Sequence, residues 1–133
     1  MKTIQHLIAV ILLSLISFGG VAWAQSGTIV DLQYVKAAQQ RGAIIWDVRA
    51  SNQYLEGHIP GAINFGDIGT VLRDPNREDF IDLAEINAIF NKAGLDIYKE
   101  IVVYGSRGNP YSYFGLFTIH YFGGKQAKVF HDG

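Results

Sequence analysis

The sequence predicts an α/β domain built on a parallel sheet. Short apolar runs at 43–46 and 101–104 read as strands covered on both faces, because they are uninterrupted and do not alternate with polar residues. A further strand is predicted at 127–130, and helical segments separate the three runs. Strands that alternate with helices form parallel βαβ units, in which ligands collect at the carboxyl ends of the strands.

The helices are delimited by capping residues. Asp31 is placed to cap a helix over 32–41, and Gly42 follows it. A short helix of one or two turns is expected at 51–56. After a turn, a second short apolar run occupies 62–65, and 66–79 read as an irregular connection.

Two further helices are predicted in the second half. Asp82 and Glu85 have the spacing of a capping box at the start of a helix that Gly94 ends. Pro110 is a favoured first residue for the next helix. The segment 111–122 is apolar on nearly all sides, so it reads as a buried helix.

Composition excludes several classes of protein. Of the 133 residues, 49% are hydrophobic and 17% are charged, which is typical of a globular domain. The net charge is −1 and there is no basic block, so nucleic acid is not an expected partner. The chain contains no cysteine, so it forms no disulfide. The histidines lack metal-ligand spacing, and neither a metal nor a cofactor is expected.

The N-terminus has the pattern of a secretory signal peptide. Lys2 precedes an apolar stretch at 7–18, and Ala22-Trp23-Ala24 is an A-x-A cleavage signature. We expect cleavage after residue 24, which leaves one domain at 25–133 in the periplasm or outside the cell, free of the membrane. The alternative is an uncleaved anchor, although the apolar stretch is shorter than the roughly 20 residues of a membrane span.

The best candidate site is the loop 105–109, between a buried strand and the start of a helix. A tight glycine-containing loop at a helix N-terminus suits an oxyanion, and Ser106, Arg107, Gly108 and Asn109 are the candidate binding residues. A thiolate at its centre would be catalytic, because the same field lowers a cysteine's pKa. The alternative is a structural turn that needs the conformational freedom of glycine.

Charged residues at the end of a neighbouring strand are expected to face the same crevice. Arg49 could pair with an anionic substrate, or with Asp47 or Glu56 as an ion pair that holds loops together. His58 precedes Ile59-Pro60-Gly61 and is interpreted as a turn residue that bonds to the backbone rather than as a catalytic base.

Two segments resemble a known family. The run 46–49 and the run 54–65, which contains Gly57-His58-Ile59-Pro60-Gly61, resemble the first signature of the rhodanese homology domain, and 101–133 is similar to its second half. The resemblance covers about residues 29–133. It implies a rhodanese-like fold, a five-stranded parallel sheet flanked by helices, with the active-site loop after the strand at 101–104.

The loop departs from that family where its chemistry lies. In active members the loop often reads C-x-x-G-x-R, and its cysteine carries a persulfide that is passed to a thiol or cyanide. Here Gly108 matches the glycine of that frame, but Gly105 stands at the cysteine and Pro110 at the arginine. The resemblance carries over Arg49 as an anion-contacting residue and the loop as a site position, with no catalytic residue. We expect no sulfurtransferase activity from this chain.

Two explanations fit this departure. The aromatic helix and the long connection at 66–82 are similar to the inert N-terminal domain of tandem thiosulfate sulfurtransferases, which would place a second rhodanese domain downstream. Family members usually continue past the Asp132-Gly133 position into a final helix, so we expect a domain truncated at its C-terminus. The alternative is a stand-alone pseudo-enzyme that binds a small anion such as thiosulfate, or a partner protein.

Overall fold

The computed structural model describes residues 27–133, so the predicted signal peptide (1–24) lies outside the described residues. In chain order the elements of this range are β1 (Ile29–Val30), α1 (Leu32–Gln40), β2 (Ile44–Asp47), α2 (Ser51–Glu56), α3 (Ile68–Val71), β3 (Arg73–Asp74), β4 (Asp79–Phe80), α4 (Leu83–Ala93), β5 (Ile101–Tyr104), α5 (Tyr111–Tyr121) and β6 (Ala127–Phe130). Within residues 27–133 no helix is long and apolar enough to span a bilayer.

The main sheet has four parallel strands in the order β1-β6-β5-β2. A fifth position exists beside β2, but it is reduced to a single bridge between Trp46 and Ile63. There Ile63 N donates to the Ile45 carbonyl (2.8 Å) and Asp47 N donates to the Ile63 carbonyl (2.9 Å). The predicted parallel α/β architecture is therefore confirmed, with four full strands instead of five.

Both faces of the sheet are covered, which explains the continuous apolar runs. Along β5, Ile101 and Val103 pack on the side of α3, α4 and α5, while Val102 and Tyr104 pack on the opposite side with α1. Successive side chains of a strand point to opposite faces. All four residues are at most 3% exposed, so each contributes apolar burial of about 1.5–3 kcal/mol.

Helix α5 differs from its prediction as a wholly buried helix. Its buried residues are mostly small: Ser112, Gly115, Thr118 and Ile119. Phe117 and Tyr121 are more than half exposed. The helix lies so close to β5 that a Cβ on Gly115 would stand 2.7 Å from Val103 Cγ1. Close approach therefore selects small side chains for the inner face and leaves aromatic ones outside.

Three local predictions were wrong. The connection 66–79 contains α3, whose first turn is capped by the Asp67 side chain, and the antiparallel pair β3–β4. The capping box at α4 does not form, because Asp82 makes no side-chain cap bond. Pro110 precedes α5 as its N-cap and is not its first helical residue.

Other boundaries agree with expectation. The Asp31 side chain accepts from Tyr34 N (2.9 Å) at the start of α1, and Gly94 ends α4 in the left-handed conformation.

Candidate functional site

The candidate site lies at the carboxyl edge of the parallel sheet. The β2 strand ends at Asp47, the loop 105–109 follows β5, and His131 follows β6. Because neighbouring parallel strands end at one edge, the sequence-predicted residues Asp47, Arg49 and the loop are brought to that edge together.

The loop itself is a tight turn. Asn109 N donates to the Ser106 carbonyl (2.8 Å), and Gly108 has φ +74° while Arg107 has a negative φ, which is the pattern of a type II turn. Asn109 lies before α5 and bonds to its first turn: its Oδ1 accepts from Tyr111 N (2.9 Å) and its carbonyl accepts from Ser112 N (3.3 Å). The amides that open the helix are thus already bonded, which leaves the loop amides as the available donors.

Glycine is required at Gly108 but not, on backbone grounds, at Gly105. Of these two glycines, Gly108 has a left-handed φ and Gly105 does not. A Cβ on Gly105 would meet Ser112 Oγ at 3.1 Å, Val48 Cγ2 at 3.4 Å and Asn109 Cβ at 3.5 Å. The backbone conformation at Gly105 would therefore accept a side chain. The first atom that such a side chain would meet is Ser112 Oγ.

Arg49 is bound within the protein. Its Nε donates to Asp47 Oδ1 (3.0 Å), and its Nη2 donates to Asp47 Oδ2 (2.6 Å) and to the Gly57 carbonyl (2.7 Å). Asp47 is fully buried, and the Arg49 side chain is 16% exposed. The hydrogen bond to Asp47 raises the pKa of the Arg49 guanidinium above its ordinary value. An anion at Arg49 would have to compete with this carboxylate, so anion contact by Arg49 stays a prediction.

Tyr104 lies beneath the same ion pair. The Arg49 guanidinium stands 5.7 Å from the centre of its ring, and its hydroxyl accepts from Ile59 N (3.0 Å). Burial raises the pKa of Tyr104 to about 12. The neutral Tyr104 hydroxyl therefore connects the end of β5 to the segment that contains His58, through its bond with Ile59 N.

The segment 57–64 is held by polar contacts that need no ligand. His58 Nδ1 bonds to the Tyr54 carbonyl (2.8 Å), and its ring stacks on that of Tyr54 at 3.7 Å. Asn64 Nδ2 donates to the carbonyls of Asp47 (3.0 Å) and Arg49 (2.7 Å). His58 thus bonds to the backbone, as predicted for a turn residue. Asn64 holds the backbone that follows β2 in place.

The C-terminal residues border the loop. Arg107 Nε lies 3.4 Å from Asp132 Oδ1, with both side chains largely exposed, and the Tyr113 hydroxyl bonds to His131 Nδ1 (3.0 Å). Gly133 packs directly against Gly105. The positive charge of Arg107 beside the loop is thus partly cancelled by the carboxylate of Asp132.

Sequence reasoning missed Ser112. It was counted within an apolar helix, yet its hydroxyl is the polar atom nearest to the absent side chain of Gly105. A serine in the first turn of an otherwise apolar helix was the available signal. No group of residues in 27–133 has the composition and spacing to hold a metal ion.

A family model and curated relatives point to the same protein family. The model of the rhodanese-like domain matches residues 31–133. A thiosulfate sulfurtransferase of Corynebacterium glutamicum is 32% identical over 77 residues, which are 58% of this chain and 25% of that enzyme. The putative thiosulfate sulfurtransferase SseA of Mycobacterium leprae is 30% identical over 80 residues, 60% of this chain and 27% of that protein.

Solved structures agree on the fold. SseA from Escherichia coli, described as a 3-mercaptopyruvate sulfotransferase, matches with a TM-score of 0.64 and 25% identity over 77% of this chain and 39% of its own. The human single-domain sulfurtransferase TSTD1 matches with a TM-score of 0.57 and 19% identity, over 79% of this chain and 89% of its own. The chain spans about a quarter of the length of the curated relatives that it matches.

Proposed function

The chain belongs to the rhodanese-like domain family, and from this premise we propose that it is a non-catalytic member, the inert partner domain of a sulfurtransferase. The observation that carries the proposal is Gly105. It occupies the place from which a cysteine would act, at the start of the loop after β5, and the whole chain has no cysteine.

No other group supplies the missing chemistry. Sulfur transfer by this family's route requires a thiolate that becomes a persulfide. The Ser106 and Ser112 hydroxyls can form hydrogen bonds, but oxygen cannot store the transferred sulfur as a persulfide. Pro110, at the position of the family's loop arginine, has neither a charge nor an N–H. The loop can therefore bind a ligand without turning it over.

Intact-mass spectrometry after incubation with excess thiosulfate tests the absence of a covalent intermediate. We expect the mass of the purified protein to be unchanged. A sulfur adduct that survives desalting and is lost on addition of cyanide would contradict the proposal.

We further propose that the chain is the N-terminal half of a tandem sulfurtransferase. The similarity of the aromatic helix α5 and of the connection 66–82 to the inert N-terminal domain of tandem sulfurtransferases motivates this proposal. The reading frame beyond Gly133 tests it, with a second rhodanese-like domain that contains a loop cysteine as the expected result. A stop codon directly after Gly133 would exclude the tandem arrangement.

The surface of α5 supports a protein partner. The rings of Phe80, Phe114, Phe117 and Tyr121 form a cluster with centres 5.3–6.4 Å apart. With neighbouring charged residues they line a cavity of about 310 Å³. Phe117 and Tyr121 are 52% and 61% exposed, so part of this cluster is open to a partner. A second domain that packs here would cover it.

Export to the periplasm or the cell exterior remains part of the proposal and rests on the predicted signal peptide. Fractionation of cells that express the full chain tests it: we expect a shortened protein that begins at Gln25 in the exported fraction. A full-length cytoplasmic product would overturn this point.

The second candidate function is a stand-alone module that binds a small anion at the loop 105–109. The free amides of the loop and the neighbouring Ser112 favour it.

A further inference from the structure

The cavity between the hairpin β3–β4 and α5 has aromatic walls. Its volume is about 310 Å³, and its apolar lining consists of the rings of Phe80, Phe114, Phe117 and Tyr121. The centres of the other three rings lie 5.3–6.4 Å from that of Phe80. Ligand pockets begin at roughly this volume, so the cavity has room for a small molecule.

The rim of the same cavity carries an excess of negative charge. Glu78 and Asp79 line it together with Arg73. In the described part of the chain, Glu78 and Asp79 form no salt bridge, and no cationic side chain stands over any of the four rings. The other cation of the hairpin, Arg77, is paired with Asp74. The rings and the two carboxylates are therefore available to a cation from outside.

Glu78 is held in an unfavourable backbone conformation at this rim. Its φ is +52°, the one positive φ of a residue other than glycine in 27–133. A left-handed backbone is disfavoured for any residue with a Cβ, and glycine would adopt it freely. Such exceptions are frequent at ligand sites, where the side chain that they position has a use.

We propose that this cavity binds a small quaternary ammonium compound. The electron-rich faces of aromatic rings attract a cation that lies within about 6 Å of a ring centre. Because the rings stand 5.3–6.4 Å from that of Phe80, a cation among them contacts more than one ring. Glu78 and Asp79 then oppose its charge at the rim.

The chemistry of the walls selects a quaternary ammonium group over a primary one. A primary ammonium carries three N–H donors, each of which needs an acceptor, and aromatic side walls supply none. The methyl groups of a quaternary ammonium instead pack against the rings. This inference goes beyond the proposed function and does not depend on it, because it concerns the domain by itself. A second domain on α5 would cover the same cavity.

The test is a titration of the ¹⁵N-labelled protein with choline chloride, with sodium chloride as the control for ionic strength. We expect saturable shifts of the amide signals of residues 78–80 and 114–121 at millimolar choline. Shifts that do not saturate, that sodium chloride reproduces, or that fall elsewhere in the chain would overturn the proposal.

Two further ligands test the kind of group that the cavity accepts. The neutral analogue of choline, in which carbon replaces the nitrogen, should bind about fivefold more weakly, the scale of cation–π contacts at an exposed site. The primary amine n-butylammonium should also bind more weakly than choline. Equal binding of the neutral analogue would contradict the role of charge, and tighter binding of n-butylammonium would contradict the choice of a quaternary group.

A change of one ring tests the aromatic walls. Phe117→Leu removes a ring but keeps an apolar side chain, and the fold should be retained because Phe117 is 52% exposed. We expect choline to bind about threefold more weakly and the neutral analogue to bind nearly as before. Tyr98→Leu, at a 73% exposed residue that does not line the cavity, is the control and should leave both affinities unchanged. Equal choline affinities of the two variants would exclude the ring contact.

A change of one carboxylate tests the rim. Glu78→Gln should weaken choline binding about twofold at low ionic strength and less in high salt, because an exposed charge is screened. Glu56→Gln, at an exposed position on α2, is the control and should have no effect.

Glu78→Gly separates binding from folding. Glycine relieves the left-handed backbone, so thermal stability should be kept or raised while choline binding falls as in Glu78→Gln. Choline affinities that stay at the wild-type value in both Glu78 variants would contradict the role of this carboxylate. Failure of choline to bind would leave the non-catalytic proposal intact, because mass spectrometry with thiosulfate tests that separately.

Discussion

At the scale of single residues, the ion pair between Asp47 and Arg49 organises the edge of the sheet. Arg49 holds a fully buried carboxylate, and it also reaches the Gly57 carbonyl in the segment after α2. Removing one partner of a buried pair leaves an uncompensated charge, which costs far more than the loss of an exposed pair. The pair therefore serves the fold, and the anion contact that the resemblance implies for Arg49 stays a prediction.

Arg49→Ala is expected to lower the free energy of unfolding by about 3 kcal/mol, because Asp47 remains buried without its cation. The matched control is Arg77→Ala, which breaks the exposed Arg77–Asp74 pair (2.7 Å) and should change the free energy of unfolding very little. Urea denaturation of both variants measures the difference. Equal losses of unfolding free energy in the two variants would show that the Asp47–Arg49 pair stabilises the protein no more than an exposed pair does.

Gly105→Cys tests how the nucleophile position is packed. The new Cβ would press on Ser112 Oγ, so we expect a loss of about 1 kcal/mol, with most of it recovered in Gly105→Cys/Ser112→Ala. Gly108→Ala, whose φ is +74°, should also cost about 1 kcal/mol, but through the backbone and without coupling to Ser112→Ala. The same variant also tests reactivity. The new thiol of Gly105→Cys should react with a disulfide reagent, but the rate of sulfur transfer from thiosulfate to cyanide should stay low, because Pro110 cannot bind an anion.

The loop frame and its missing cysteine could be read from the sequence, because they depend on residue identity at fixed spacing. The orientation of Arg49 could not, since the sequence allows either an anion or Asp47 as its partner. Ser112 was missed because only the three-dimensional approach of α5 to β5 places its hydroxyl next to Gly105.

At the scale of elements, the contact between α5 and β5 depends on the absence of side chains. Gly115 lets the helix lie on Val103 and Val48, and a Cβ there would stand 2.7 Å from Val103 Cγ1 and 3.2 Å from Val48 Cγ1. The aromatic residues consequently project from the outer face of the helix.

Gly115→Ala should therefore destabilise the protein by about 2 kcal/mol, although alanine is the better helix former by about 1 kcal/mol. His120→Ala, on the exposed side of the same helix, is the control and should change stability by less than about 0.5 kcal/mol. A neutral or stabilising Gly115→Ala, measured by urea denaturation, would mean that the helix lies further from the sheet.

The elements differ in how well the sequence predicts them. Helices α1 and α4 were found from the residues that delimit them, and strands β2, β5 and β6 from short uninterrupted apolar runs. The two-residue strand β1 and the four-residue helix α3 are too short to show a period. The inner face of α5 was not predictable from hydropathy, because that helix is apolar on every side.

At the scale of the whole molecule, Glu100 joins distant parts of the chain. It accepts from Arg41 Nη2 (2.7 Å) and from the Tyr34 hydroxyl (2.7 Å), so it ties α1 to the start of β5. The hydrogen bond from Arg41 is the main cause that lowers the pKa of Glu100 below its ordinary value of 4.5. A lowered folded-state pKa means that this stabilisation is present above pH 4.5 and is lost as the pH falls through the folded-state value.

Glu100→Gln should accordingly remove part of the loss of stability that the wild type shows below pH 4.5. The expected effect is a fraction of a kcal/mol, because the Arg41 side chain is half exposed. Thermal unfolding of both proteins between pH 3 and pH 7 measures it. If the unfolding temperatures of the two proteins change in parallel over this whole pH range, Glu100 does not contribute to the loss of stability at low pH.

The central claim, that a rhodanese-like domain with Gly105 at the nucleophile position transfers no sulfur, is tested most directly by thiocyanate formation. The purified protein is incubated with thiosulfate and cyanide, beside an active rhodanese and a mock purification. We expect no thiocyanate above the mock level at any protein concentration. Thiocyanate that rises in proportion to this protein, and persists after further purification, would contradict the claim.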